Sequence, residues 1–199
     1  NVVLLANETQ TGEILNPTIV KNSAVINLGY GTTVDKQNGL VGLMANNEGK
    51  LQNNAAAVIN VNSKNSVGIA VMAIVNMGAM ESTGVNLGNI NVAGEASTGV
   101  YNAGEFTMTS GTIDVTGKKA VAVYGAENNI HTNLNGGSIK VTNNGIGLLA
   151  GDNATINVEK MSMEIGSNGL LTYTYKDEAT RTSTGHINIK STGTGIVNA

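Results

Sequence analysis

The chain has 199 residues, including 26 Gly, 29 Asn and 21 Thr, with one Pro, no Cys and no Trp. Charged residues are 13% and the net charge is −3, which leaves no basic footprint for nucleic acid or anionic lipid. The lack of Cys excludes disulfide frameworks and thiolate metal sites, the aperiodic Gly excludes collagen, and no uncharged apolar run reaches the roughly 18 residues of a membrane-spanning helix. At 41% hydrophobic, the chain still has enough apolar material for a core.

Residues 1–38 are read as an irregular first coil or partial cap. Val2 to Leu5 and Ile19-Val20 are strand-like, but Glu8 to Gly12 and Pro17 interrupt them. The start at Asn1 rather than Met suggests a segment of a longer protein.

From there a repeat dominates. A first motif sets a polar residue between two β-formers. It reads Ile26-Asn27-Leu28, Ile59-Asn60-Val61, Ile90-Asn91-Val92, Ile113-Asp114-Val115, Ile139-Lys140-Val141, Met163-Glu164-Ile165 and Ile187-Asn188-Ile189. A second motif joins a small residue to apolar ones. It reads Val41-Gly42-Leu43, Ile69-Ala70-Val71, Gly99-Val100-Tyr101, Val121-Ala122-Val123, Ile146-Gly147-Leu148, Gly169-Leu170-Leu171 and Gly195-Ile196-Val197. The two series interleave in strict order. A weaker third strand follows the second motif, at Gly49-Lys50-Leu51, Gly78-Ala79-Met80, Gly104-Glu105-Phe106, Asn129-Ile130-His131 and Ala154-Thr155-Ile156. Asn, Gly, Ser and Thr clusters between them are turn chemistry, and no stretch has a capped 3.6-residue apolar stripe.

Three short strands per period of roughly 22–30 residues describe an all-β, right-handed parallel β-helix over residues 39–199. Each coil of such a solenoid buries its inner face only against its neighbours. The low charge follows from this geometry, because equivalent residues on successive coils lie above one another and repeated charges would repel. A sandwich or barrel would need hairpin turns. Three of the four Asn-Gly pairs (Asn38-Gly39, Asn144-Gly145 and Asn168-Gly169) instead stand just before the second motif, as coil corners would; the fourth is Asn135-Gly136.

The Asn/Gly/Thr-rich coils, the Ile-Asn-Val and Gly-Thr-Ile-Asp-Val patterns and the scarcity of Cys, Pro and charge resemble the passenger domains of large Gram-negative autotransporter adhesins. The resemblance covers about residues 20–199. It implies a secreted β-helical stalk held at the cell surface by a C-terminal barrel outside this sequence, which would be its one membrane connection. The same style is shared by two-partner secreted haemagglutinin-like proteins. No functional residue of the family transfers, because the matched positions are architectural.

Catalytic chemistry is not expected. The two histidines, His131 and His186, lack a nucleophile pattern around them, and no zinc-ligand spacing or Gly-Gly-x-Gly-x-Asp calcium signature occurs. The acids are scattered rather than paired as glycosidic cleavage requires, so no cofactor or metal is expected. The leading reading is a structural and interaction segment at the cell surface or secreted, contacting a host or bacterial surface protein or glycan. The alternatives are a polysaccharide lyase or hydrolase and the β-helical region of a secreted toxin.

Two surfaces are candidates for contact. The irregular segment with Tyr173, Tyr175, Lys176, Asp177, Glu178 and Arg181 is a candidate interaction loop, since Tyr and Arg are typical contact residues. Strict alternation along the second-motif strand puts Val41, Leu43, Ile69, Val71, Val121, Val123, Ile146 and Leu148 inside and Gly42, Ala70, Ala122 and Gly147 outside. It also places Met44, Met72, Tyr101, Tyr124, Leu149 and Leu171 in one outward apolar row, a docking face for another part of the chain or for a homo-oligomer partner; the alternative is a bulge in this strand that turns the large residues inward at a corner. In the first motif, the middle residues should form an exposed row: Asn60, Asn91, Asp114, Lys140, Glu164 and Asn188.

Overall fold

The computed structural model describes residues 1–7, 18–29, 38–72, 81–126, 131–177, 179–180, 182–190 and 197–198. Among them no helix occurs, and 21 short strands make seven coils of three. The first coil is β1 (Val2–Asn7), β2 (Ile19–Asn22) and β3 (Val25–Leu28). The second is β4 (Val41–Asn46), β5 (Lys50–Asn53) and β6 (Val58–Val61). The third is β7 (Val67–Val71), β8 (Thr83–Asn86) and β9 (Asn89–Val92). The fourth is β10 (Thr98–Asn102), β11 (Glu105–Met108) and β12 (Thr112–Val115). The fifth is β13 (Val121–Gly125), β14 (His131–Leu134) and β15 (Ser138–Val141). The sixth is β16 (Ile146–Ala150), β17 (Thr155–Glu159) and β18 (Ser162–Ile165). The seventh is β19 (Leu170–Thr174), β20 (His186–Lys190) and β21 (Val197–Asn198). The expected strand at Gly78-Ala79-Met80, and Asn129-Ile130 and Gly195-Ile196, lie outside the described residues.

Every third strand pairs in parallel with the next of its kind, giving three seven-stranded sheets. The fold is a right-handed parallel β-helix, as the repeat implied. At about 4.8 Å per coil the first and last coils stand roughly 29 Å apart. The coils turn on residues in the left-handed region. Asn65, Ala96, Lys119, Asn144 and Asn168 all have positive φ, each two residues before a first-sheet strand. The Asn-Gly pairs at Asn144 and Asn168 are therefore coil corners.

The core runs the length of the stack. In the third sheet the flanking residues of the first motif point in: Ile59, Val61, Ile90, Val92, Ile113 and Val115 are all 0% exposed. Their polar middle residues face out. The second sheet adds Phe106, Met108, Leu134 and Ile156, all buried.

The first sheet departs from strict alternation. A Cβ placed on Gly42 would lie 2.6 Å from the Gly68 carbonyl oxygen and 3.3 Å from Ile59 Cγ2. Gly42 therefore faces the interior, and so does its neighbour Leu43, which is fully buried. Gly68 and Gly99 repeat this against Ile90 and Ile113. Each strand bends where two successive residues turn inward, and glycine lets one coil approach the carbonyl of the next. The expectation of Gly42 outside is corrected by this bend. Val41 and Ile146, expected inside, are half-buried on the outer side.

Two motif assignments also change. Ile187-Asn188-Ile189 belongs to the second sheet, where Asn188 stacks on Asn157. Val197, expected in the first sheet, pairs with Glu164 in the third. The exposed row of the third sheet is therefore Asn27, Asn60, Asn91, Asp114, Lys140 and Glu164, without Asn188.

Polar ladders that sequence reading missed lie inside the coil. Asn22 donates to Asn53 Oδ1 at 2.9 Å and Asn53 to Asn86 Oδ1 at 2.8 Å, and all three are buried. Asn86 ends the ladder on the Gly88 carbonyl at 3.0 Å. At the corner before the first sheet, buried Ser63, Ser66 and Ser97 bond to one another and to nearby backbone. Buried polar groups satisfied in this way cost little and fix the register.

Candidate functional site

The three sheets present chemically different outer faces. The first is apolar. One row is Leu5, Met44, Ala70, Tyr101, Tyr124, Leu149 and Tyr173. A second outer row holds Val41, Val67, Thr98, Val121 and Ile146. Neither row contains a charge. Tyr101 and Tyr124 meet edge to face, with centroids 5.4 Å apart.

Four residues of the expected docking face, Met44, Tyr101, Tyr124 and Leu149, stand together and half-buried. The other two do not join them. Ala70 takes the place expected for Met72, which follows the end of β7 and donates its N–H to the Ala45 carbonyl at 2.9 Å. Tyr173 takes the place expected for Leu171, which packs against the core. The cause is that small residues serve several roles. Gly42, Gly99, Ala122 and Gly147 occupy the inward bend, whereas Ala70 faces out beside Met44 and Gly169 lies at a corner. Aligning Ala70 and Gly169 with the others shifts the row by two residues on those two coils.

The third sheet carries the charged row. Lys140 Nζ lies 3.6 Å from Glu164 Oε1. Asn91 donates to Asn60 at 2.7 Å and Asn60 to Asn27 at 2.8 Å. Asp114 stacks between Asn91 and Lys140, with its Oδ1 buried and unpartnered. Nearby at the corner, Lys64 pairs with Glu95 at 3.3 Å.

The expected interaction loop is a compact hairpin on the seventh coil. Lys176 and Ser183 form an antiparallel bridge. Thr184 N–H donates to the Tyr175 carbonyl at 3.3 Å, and Asp177 N–H to the Thr182 carbonyl at 3.0 Å. Asp177 organises the turn through its Oδ1, which accepts from Thr180 N–H at 2.7 Å, Thr180 Oγ1 at 3.0 Å and Ala179 N–H at 2.9 Å. These bonds, led by the one from the Thr180 backbone, hold its carboxyl below the usual carboxylate range. Tyr173 and Tyr175 stand exposed at the base, 51% and 44% accessible. Glu178 and Arg181 lie outside the described residues.

On the second sheet the outward side chains of the last three coils form a polar grid. One column is His131, Thr155 and His186. The next is Asn133, Asn157 and Asn188, bonded rung to rung at 3.1 and 3.0 Å. The third holds Asn135, Glu159 and Lys190, and the second and third columns line a cleft of about 290 Å³. The two histidines share a column two coils apart. Among the described residues, no three His, Asp or Glu side chains group closely enough to hold a metal ion. Elsewhere, burial pushes the Glu81 carboxyl up, and the neighbouring Glu105 charge adds to it.

No protein-family model, curated protein or solved structure matches the chain.

Proposed function

We propose that this β-helix is a non-catalytic structural and interaction segment of a surface-exposed or secreted bacterial adhesin, of the autotransporter passenger type. The single observation that supports the reading most is the division of labour around the coil. A continuous buried core supplies stiffness, while three outer faces of different chemistry and one hairpin remain for contact. A stack of this kind holds recognition surfaces away from a membrane. The exposed Tyr173 and Tyr175 beside the hairpin suit a protein partner, since aromatic anchors dominate protein contacts. The apolar first-sheet face suits a second copy or another segment of a longer chain, because apolar rows of this extent are uncommon on isolated soluble domains.

The test is adhesion. Beads coated with the chain should be retained on host-cell monolayers above protein-free beads. Replacing residues 176–183 by a short turn should reduce retention. Retention no greater than that of protein-free beads on epithelial, endothelial and bacterial surfaces would overturn the reading.

A further inference from the structure

The cleft on the second sheet has a composition that neither the core nor the hairpin explains. Its volume, about 290 Å³, is at the lower end of small-molecule sites. Its floor is the Asn133, Asn157, Asn188 ladder. A primary amide has two N–H donors and an oxygen with two lone pairs. In the ladder each amide gives up at most one N–H and one lone pair to its neighbours. Every rung thus retains at least one donor and one acceptor, repeated at the coil spacing of about 4.8 Å. Glu159 and Lys190 face each other in register at the cleft wall, adding one strong acceptor and one strong donor without net charge.

We propose that this cleft binds a neutral oligosaccharide laid along the stack axis. The inference rests on the adhesin reading and names its ligand class. A sugar hydroxyl both donates and accepts, as each amide rung does, and vicinal hydroxyls present such groups in pairs. A linear saccharide running across the coils meets an equivalent rung at each one. A free anion would face Glu159, a cation would face Lys190, and an apolar ligand would strip water from the rungs without replacing its hydrogen bonds. No aromatic side chain lines the cleft, so a single site binds weakly and useful strength comes from many copies on one surface.

The experiment is a titration of the full chain with maltotetraose, mannotetraose and chitotetraose, with trigalacturonate as an acidic comparison, followed by the side-chain amide signals in nuclear magnetic resonance. At least one neutral probe should shift the Asn133, Asn157 and Asn188 signals saturably. Asn157→Thr should weaken that binding at least tenfold with the first-sheet signals unchanged. Asn188→Thr, on the end coil, supplies the same readout if Asn157→Thr disturbs the ladder. Three results overturn the proposal: no shift of these amides with any neutral probe, shifts confined to the tyrosine row of the first sheet, or binding of trigalacturonate alone with loss in Lys190→Gln. Bead adhesion is scored separately. Adhesion that persists without saccharide binding removes the cleft from the account and leaves the adhesin reading standing.

Discussion

Gly99→Val tests the inward bend of the first sheet. A Cβ at this position would meet the Ala122 carbonyl oxygen at 2.7 Å, Ile113 Cγ2 at 3.0 Å and Val92 Cγ2 at 3.3 Å. The first contact is with backbone, so no rotamer change relieves it and the two coils must separate. Overpacking of this kind costs up to about 3 kcal/mol, and the reduced freedom of the unfolded chain returns about 1 kcal/mol. The net loss is about 2 kcal/mol, a drop in Tm of about 4–8 °C for a chain of this size. Thermal melting followed by far-ultraviolet circular dichroism measures it. Strict alternation would put residue 99 in solvent, where a β-branched side chain on a strand is neutral or stabilising. An unchanged or raised Tm would therefore refute the bend. Ala122→Gly is the companion variant at the same place one coil on. It removes a buried methyl and frees the backbone, and should lose about 1–2 kcal/mol.

Asn53→Ala opens the buried ladder in the middle and leaves Asn22 and Asn86 each short of a partner. A loss of about 2–4 kcal/mol in urea unfolding is expected from two unsatisfied amides, and a loss under about 0.5 kcal/mol would show that water replaces the rung. Lys140→Glu puts three like charges in the third-sheet row between Asp114 and Glu164. It should lower stability by about 1 kcal/mol at low salt and less at high salt, and equal effects at both would count against the row. The two shifted carboxyls predict opposite pH responses. Asp177 is depressed, so its contribution to the hairpin is present above 3.8 and is lost as pH falls through the folded value. Hydrogen exchange at Ala179 and Thr180 should report that loosening, and Asp177→Asn should show it at neutral pH. Glu81 is raised, so the folded state binds the extra proton and stability falls as pH rises from 4.5 through the folded value. Glu81→Gln should flatten that slope, and an unchanged slope would assign it to other groups.

The coil architecture is legible because burial imposes a period that chance does not keep. Ile59, Ile90 and Ile113 recur with a polar residue after each, and all point into the core. The order Asp114, Lys140, Glu164 along the exposed row can likewise be read from the first motif, and Lys140 does approach Glu164. The first sheet is harder, because glycine is used there for close approach and for corners alike. Nothing in the one-dimensional pattern separates Gly99 from Gly169. The last coil misleads for a related reason. Ile187-Asn188-Ile189 repeats the first motif, but the hairpin at Tyr175 to Thr184 delays the second-sheet strand, so the next apolar triplet after Leu170 is β20 and not a third-sheet strand. The polar grid is hidden by the same cause. Asn188 joins Asn133 and Asn157 only once that triplet is moved to its proper sheet. The buried Asn ladder has no sequence signal of its own in a chain with 29 Asn.

The central claim is that coils stack in register, so that each face is a straight column of equivalent residues. Spin labels attached through Asn60→Cys and Glu164→Cys, four coils apart on the third-sheet row, measure this directly by pulsed dipolar spectroscopy. The chain has no native Cys to compete for the label. Four steps of the strand spacing place the two backbones about 19 Å apart, and the distance distribution should be narrow around that separation, allowing for the label arms. Moving the first label to Asn27, one coil further along the same row, should lengthen the backbone distance to about 24 Å. A separation between residues 60 and 164 beyond about twice the expected value, or one that does not grow when the label moves to residue 27, would contradict the stack.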